Sequence, residues 1–334
     1  MNLIVGSGSV GSVLACFLSG MGHPLSWVVP KSQFSELNTT VPLQVTFPHG
    51  YQLIKSTPKL TTEIDLRGVH KVLLAQDFSN TKRTLDELPL DFYSRLTVMP
   101  CVSSLEEGNE LCRRYAPAKI QPLVVMFDAV RKNTKEVQLI TRPRIMSHRL
   151  SPDISSAFYL MGMGVHQTDP SVYWGNVLLH SADPLAALTG LSYRDLLLHP
   201  VLRDLSLKLF TETIETLTPL KIPLIFPDGG RINFALLNNM VKHMPHFSWH
   251  LIKNILGTYD EAKPVLCEKL RQGNSHRAHA INGAVVRLAQ NLDRETRYHQ
   301  KVLELCDQFA HEKAMSRFSI ERLQNHLLGG CFLA

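Results

Sequence analysis

The chain has 334 residues, enough for about two domains at ~150 residues each. Apolar residues at 44% and charged residues at 19% exclude a disordered chain and a coiled coil. The formal net charge of +6 is too small and too scattered to mark a nucleic-acid binder, and it suits an anionic small ligand equally well.

No apolar run approaches the ~18 to 20 residues of a membrane span, so no membrane partner is expected. The six cysteines (Cys16, Cys101, Cys112, Cys267, Cys306, Cys331) include no CxxC pair, unlike a secreted disulfide framework or a zinc ribbon. The opening stretch, MNLIVGSGSVGSVLACFLSGMG, is apolar, but no Lys or Arg precedes Lys31. It lacks the positive region of a leader and reads as part of the fold. A cytoplasmic protein with reduced thiols is expected.

In chain order, Asn2–Val5 reads as a strand and residues 9–21 as a helix. Residues 25–29, 71–75, 95–99, 123–127 and 137–140 are further strands. Strands alternating with helices predict βαβ units in a Rossmann-type, doubly wound parallel sheet. Residues 141–153 are polar, with Pro143, Pro152, Arg142, Arg144, His148 and Arg149, and read as a solvated linker. From Ser171 onward helical periodicity takes over: Leu198, Leu202, Leu205 and Leu209 share one face, and residues 232–256 and 278–292 look alike. The expected architecture is α/β, with a Rossmann domain over 1–165 and an all-helical domain over 171–334.

Gly6-Ser7-Gly8-Ser9-Val10-Gly11 is a GxGxxG that follows a strand and opens a helix, the context in which the pattern binds a dinucleotide. Gly6 would make the tight turn, Gly8 would admit a pyrophosphate and Gly11 would let the helix approach the sheet. Backbone N–H groups and the helix dipole would then hold the phosphates. A site for NAD places Asp or Glu after strand 2. Here Val29-Pro30-Lys31-Ser32 has no acid, and Lys31 with Ser32 could hold a 2′-phosphate, which points to NADP(H).

Later segments add a family likeness. Gly22-His23 precedes strand 2, Trp174 leads an apolar helix, and Asp183-Pro184-Leu185, Ile281-Asn282-Gly283 and residues 293–305 follow in order. With the glycine motif at the start, this layout resembles the ketopantoate reductase (2-dehydropantoate 2-reductase) family over nearly the whole chain. The resemblance implies an oxidoreductase of pantothenate biosynthesis that reduces a 2-keto acid with NADPH. The helical domain would then bind substrate and serve dimerisation, compatible with a homodimer.

In that family a lysine gives the proton, and a glutamate and asparagines orient the substrate. Carried over, the lysine's place falls on Gly175 or Asn176, and no Lys occurs between Lys135 and Lys208. The following asparagine falls on His180 and the glutamate on Arg277, beside His276. The family's first-domain lysine falls on Gln76, and its Asn-Gly loop on Pro100-Cys101-Val102-Ser103. An Asn176 amide has no proton to give at neutral pH, and Arg277 reverses a charge. The candidate catalytic set is therefore Asn176, His180, His276 and Arg277, with Arg277 able to clamp an anionic substrate. Gln76 and Cys101 join the glycine motif as cofactor candidates.

The rival expectation is a catalytically silent relative that keeps dinucleotide binding in a regulatory role. A third is a dehydrogenase of opine or 6-phosphogluconate type. The histidines at 243, 246 and 250, and at 276 and 279, lack the Cys or carboxylate spacing of a zinc site, so no metal is expected.

Overall fold

The computed structural model describes residues 1–48, 50, 52–89, 95–116, 118–312 and 317–329. Cys331 lies outside them. The chain divides into two compact units, Met1–Thr168 and Asp169–Ala334.

The first unit begins with β1 (Asn2–Val5), α1 (Ser9–Gly20), β2 (Leu25–Val28), α2 (Lys31–Leu37) and β3 (Leu43–Thr46). It continues with β4 (Leu53–Ser56), β5 (Lys59–Thr61), β6 (Lys71–Leu74), α3 (Phe78–Glu87), β7 (Thr97–Val102) and α4 (Leu105–Arg114). Then come β8 (Lys119–Ile120), β9 (Leu123–Val125), β10 (Ala129–Asn133), β11 (Glu136–Leu139), β12 (Arg144–Ser147), α5 (Pro152–Leu160) and β13 (Gly164–Gln167).

One sheet runs in the order β13-β12-β9-β7-β6-β1-β2-β5, with β8 also beside β7. Its neighbours are parallel except β12 and β9. From β1 the strands build outward through β2 to β5, then resume on the other side of β1 with β6, β7 and β9. That reversal between β1 and β6 is the switch point at which open α/β sheets bind ligands, beyond the carboxyl ends of the strands.

A second sheet has the order β10-β11-β3-β4. Its central pair, β11 and β3, is parallel, with Val137 opposite Val45. Leu43, Val45, Val137 and Leu139 alternate toward the core. Helix α1 packs against strands of both sheets, and it is buried from Gly11 through Leu18. A helix covered on both sides must be apolar all round, which is why this segment looks like a leader peptide in sequence.

Two expectations are corrected here. The stretch read as a solvated linker holds β12 and the start of α5, and Arg144 is only 3% exposed. Strand β12 lies between β9 and β13, so all four of its residues are buried although its flanks are basic. The strand expected at 95–99 starts at Thr97 and continues through Pro100, Cys101 and Val102.

The second unit is helical: α6 (Pro170–His180), α7 (Asp183–Thr189), α8 (Tyr193–Leu198), α9 (Pro200–Leu217), α10 (Phe234–His243) and α11 (Pro245–Leu256) come first. They are followed by α12 (Leu266–Arg271), α13 (His276–Gln290), α14 (Arg297–Glu312) and α15 (Ile320–Leu328). The leucine stripe is real over Leu202, Leu205 and Leu209, all buried on α9, whereas Leu198 ends α8 ahead of Pro200. Residues 232–256 form two helices, because Pro245 begins a new one.

The core of this unit encloses a polar network. His299 is fully buried, with Nε2 3.0 Å from Thr213 Oγ1 and 3.1 Å from the Leu209 carbonyl. Asn282 donates from Nδ2 to the Ser181 carbonyl at 2.7 Å and faces His299 Nδ1 at 3.1 Å. Nε2–H donating to Leu209 and Nδ1 accepting from Asn282 is the neutral tautomer, and burial pushes the His299 pKa down to about 4. Glu212 of α9 accepts from the Tyr298 and His299 N–H groups and so caps α14.

Candidate dinucleotide site

The turn after β1 gives each motif glycine a distinct task. Gly6 has φ +119°, and a Cβ there would lie 2.2 Å from the Ala75 carbonyl oxygen. A Cβ on Gly11 would lie 2.1 Å from the Gly6 carbonyl oxygen. Both positions are closed to side chains by backbone. Gly8 differs: nothing lies within 4 Å of a Cβ placed there. The loop is therefore tight where it meets the sheet and open at its middle glycine.

Its polar groups are arranged to match. The Gly6 carbonyl accepts from Trp27 Nε1 at 2.9 Å, and the Gly8 carbonyl accepts from Ser12 Oγ at 3.0 Å. The Ser7 carbonyl accepts from Arg131 Nη2, which also donates to Ser12 Oγ at 2.5 Å. The N–H groups of Ser7 and Gly8 have no acceptor among the described residues. The first N–H groups of α1 add the unpaired donors of any helix start. This cradle fits an anion such as a pyrophosphate, with the helix dipole in support.

The expected cofactor residues lie on the surrounding strand ends. Gln76 follows β6 and places its Cγ 3.2 Å from a Cβ on Gly6, while its Oε1 accepts from Thr84 at 2.9 Å. Lys31 and Ser32 open α2 just beyond β2, both exposed. Cys101 does not sit in a loop. It pairs with Leu123 within β7 and belongs to the core cluster, and burial pushes its thiol up to about 12. It fills space and is not a reactive thiol.

The catalytic candidates belong to the second unit. A Cβ on Gly175 would lie 1.9 Å from the Ile225 carbonyl oxygen, so no side chain fits there without a shift of backbone. Asn176 is 5% exposed. His180 is 1% exposed, with Nδ1 3.0 Å from the Asp183 carboxylate and its ring edge-on to Tyr193. The Asp183 carboxylate thus fixes the orientation of the His180 ring. His276 and Arg277 form the first turn of α13 and are half-buried. Nearby, Asp307 accepts from Ser275 Oγ at 2.6 Å and lies 2.8 Å from His279 Nε2.

Sequence reasoning missed Trp27, Ser12 and Arg131. Trp27 and Ser12 look like ordinary apolar-strand and helix residues, and Arg131 comes from a different sheet. Among the described residues there is no group of three or more His, Cys, Asp or Glu that could hold a metal ion, and no helix is long and apolar enough to cross a membrane.

Comparison with known proteins bears on both units. Residues 172–310 match the family described as the ketopantoate reductase PanE/ApbA C terminal. A PanE/ApbA family ketopantoate reductase from Ralstonia eutropha JMP134 superposes with a TM-score of 0.69 at 15% identity, covering 94% of this chain and 99% of that one. The 2-dehydropantoate 2-reductase of Geobacter metallireducens GS-15 gives 0.69 at 15% identity, covering 92% and 99%. Residues 172–310 thus match a ketopantoate reductase C-terminal domain, and the chain as a whole shares the fold of those reductases. D-mandelate dehydrogenase, solved with NADH and anilino(oxo)acetate, shares the fold with a TM-score of 0.69 at 13% identity, covering 94% and 99%. No curated protein matches the chain by sequence. The two-unit plan of a parallel sheet followed by helices is that of ketopantoate reductases.

Proposed function

We propose that this chain is a nicotinamide-dependent oxidoreductase that binds NADP(H) on its glycine loop and acts on an anionic 2-keto acid through a diverged site. The observation that carries the reading is the division of labour among the glycines: Gly6 and Gly11 are closed by backbone, and Gly8 opens onto free space beside unpaired N–H groups. Lys31, exposed at the start of α2 with no acid before it, supports the 2′-phosphate form.

A bound nicotinamide would supply the hydride; the chain's own residues supply orientation and charge. Arg277 is the candidate clamp for a carboxylate, through the bidentate geometry of its guanidinium. His276 is a candidate proton donor, imidazole being the side chain that ordinarily exchanges protons near neutral pH. Asn176 can hydrogen-bond a carbonyl without protonating it.

A second reading is favoured by the same positions. With the lysine and the glutamate both replaced, the chain would bind dinucleotide without turning over. Titration of the purified protein with NADPH and NADH, beside cofactor oxidation against a panel of 2-keto acids, separates the two readings. Gly8→Asp places a side chain and a negative charge where phosphate would sit, and it should abolish binding. Unchanged NADPH affinity in that variant would place the site elsewhere.

A further inference from the structure

Arg131 stands out among the charged groups of the first unit. It lies on β10, next to an irregularity in the ladder: Arg131 pairs with Val137 and Asn133 with Glu136, leaving Lys132 as an extra residue. Such a bulge bends a strand and re-aims its side chains. Here the guanidinium reaches the glycine loop, 124 residues earlier, and donates to the Ser7 carbonyl and to Ser12 Oγ. Ser12 in turn donates to the Gly8 carbonyl. With Trp27 on the Gly6 carbonyl, three consecutive loop carbonyls are held by side chains from β2, β10 and α1.

The planar trans peptide makes this consequential. Fixing the carbonyl of one residue fixes the N–H of the next on the opposite side of the peptide plane. Holding the carbonyls of Gly6, Ser7 and Gly8 therefore sets the N–H directions of Ser7, Gly8 and Ser9, the donors a pyrophosphate would use. The clamp also has an electrostatic side. Arg131 is half-buried, and no carboxylate pairs with it among the described residues. A partly desolvated guanidinium without a counter-charge is costly to keep. It sits against the one loop in this unit built to receive an anion.

We infer that Arg131 is a positioning residue for the nucleotide: it clamps the glycine loop in its binding shape, and the pyrophosphate supplies its missing counter-charge. The inference rests on the dinucleotide reading above and adds a residue outside the glycine motif. It places a charge shared by both cofactors on the second sheet, while Lys31, at the start of α2, would select between them.

The test uses the full chain and the variants Arg131→Met and Arg131→Lys, titrated with NADPH and with NADH. Arg131→Met should weaken both cofactors about equally, by about ten-fold or more, as expected on removing hydrogen bonds from a charged donor. Arg131→Lys, which keeps the charge and can still reach one acceptor, should recover most of that loss. Hydrogen exchange without ligand supplies a second readout. The Ser12 N–H, bonded to the Gly8 carbonyl at 2.9 Å, should exchange faster in Arg131→Met while amides of α13 do not change. Parent-like affinity for both cofactors, or selective loss of NADPH alone, overturns the inference. If the parent binds neither cofactor, the dinucleotide reading fails and so does the counter-charge; the exchange arm then decides the clamp alone, and an unchanged Ser12 amide overturns that too.

Discussion

The glycine loop and the pair of helices α6 and α13 carry the two sets of candidate site residues, and they differ in how firmly the backbone fixes them. At the loop every element of a phosphate cradle is present, from the closed glycines to the oriented carbonyls. On α6 and α13 the candidates Asn176, His180 and Arg277 are side chains carried on regular helices. Constraint explains the contrast. At Gly6 and Gly11 the loop meets backbone atoms, where any side chain produces a collision. A side chain facing a ligand can change without disturbing the helix that carries it. Folds persist through their backbones, and activities are lost or altered through a few side-chain ends.

The strongest way to break this comparison is the family reaction itself. Ketopantoate reduction with NADPH should run slower than the order of 10 s⁻¹ typical of enzymes by a factor of about 10² to 10⁴, the usual cost of losing a general acid. Initial rates of cofactor oxidation measure it. Ordinary turnover would mean that α6 and α13 retain the chemistry through other groups.

The next largest effect concerns the interior of the helical unit. Burial pushes the His299 pKa down to about 4 from the 6.5 of a free histidine. Its folded state therefore favours the neutral ring, and stability declines as pH falls through that window, then levels off below it. At 1.36 kcal/mol per unit the loss is roughly 3 kcal/mol. Denaturant midpoints recorded across the window should show the fall, and His299→Gln should flatten it. A flat profile in the parent would put the histidine in contact with water.

Paired glycine variants sharpen the same contrast within the loop. Gly11→Ala should destabilise the chain by about 1 to 3 kcal/mol or more, because its methyl meets the Gly6 carbonyl. Gly8→Ala should change stability by only about 0.5 kcal/mol yet still impair nucleotide binding. Equal thermal shifts for the two would contradict the open-and-closed geometry. The smallest expected effect is at Lys31: Lys31→Ala should weaken NADPH about ten-fold and leave NADH nearly unchanged. Equal losses for both would take the 2′-phosphate away from Lys31.

The sequence was most readable where structure is local. The strand, the glycine motif and the following helix lie within twenty residues, and each leaves a periodic or positional signal. So did the helical second half, apart from the break at Pro245. The second sheet was not legible as a sheet. Its strands β3 and β4 are short and partly exposed, and β11 needs β3, far back in the chain, to make sense of its alternation. β12 was hidden by the charges around it, since Arg144 reads as surface until its neighbours β9 and β13 are known. At the site, the motif revealed its glycines but not its supports. Nothing near Arg131 says that it will reach Ser7, and nothing near His180 says that Asp183 will hold it in the interior.

The parallel pairing of β11 with β3 also orders events in time. Residues 136–138 must find residues 44–46 before the hairpin of β10 and β11 joins the second sheet. Contacts so distant along the chain form late, because loop closure must be met before they reward it. During synthesis the glycine motif emerges before its clamp, which is some 120 residues behind it on the ribosome. A nascent chain halted before β10 would carry the motif without a loop shaped to use it. Nucleotide binding would thus report that this unit has finished folding, and a ligand added during refolding would stabilise the product and not its precursors.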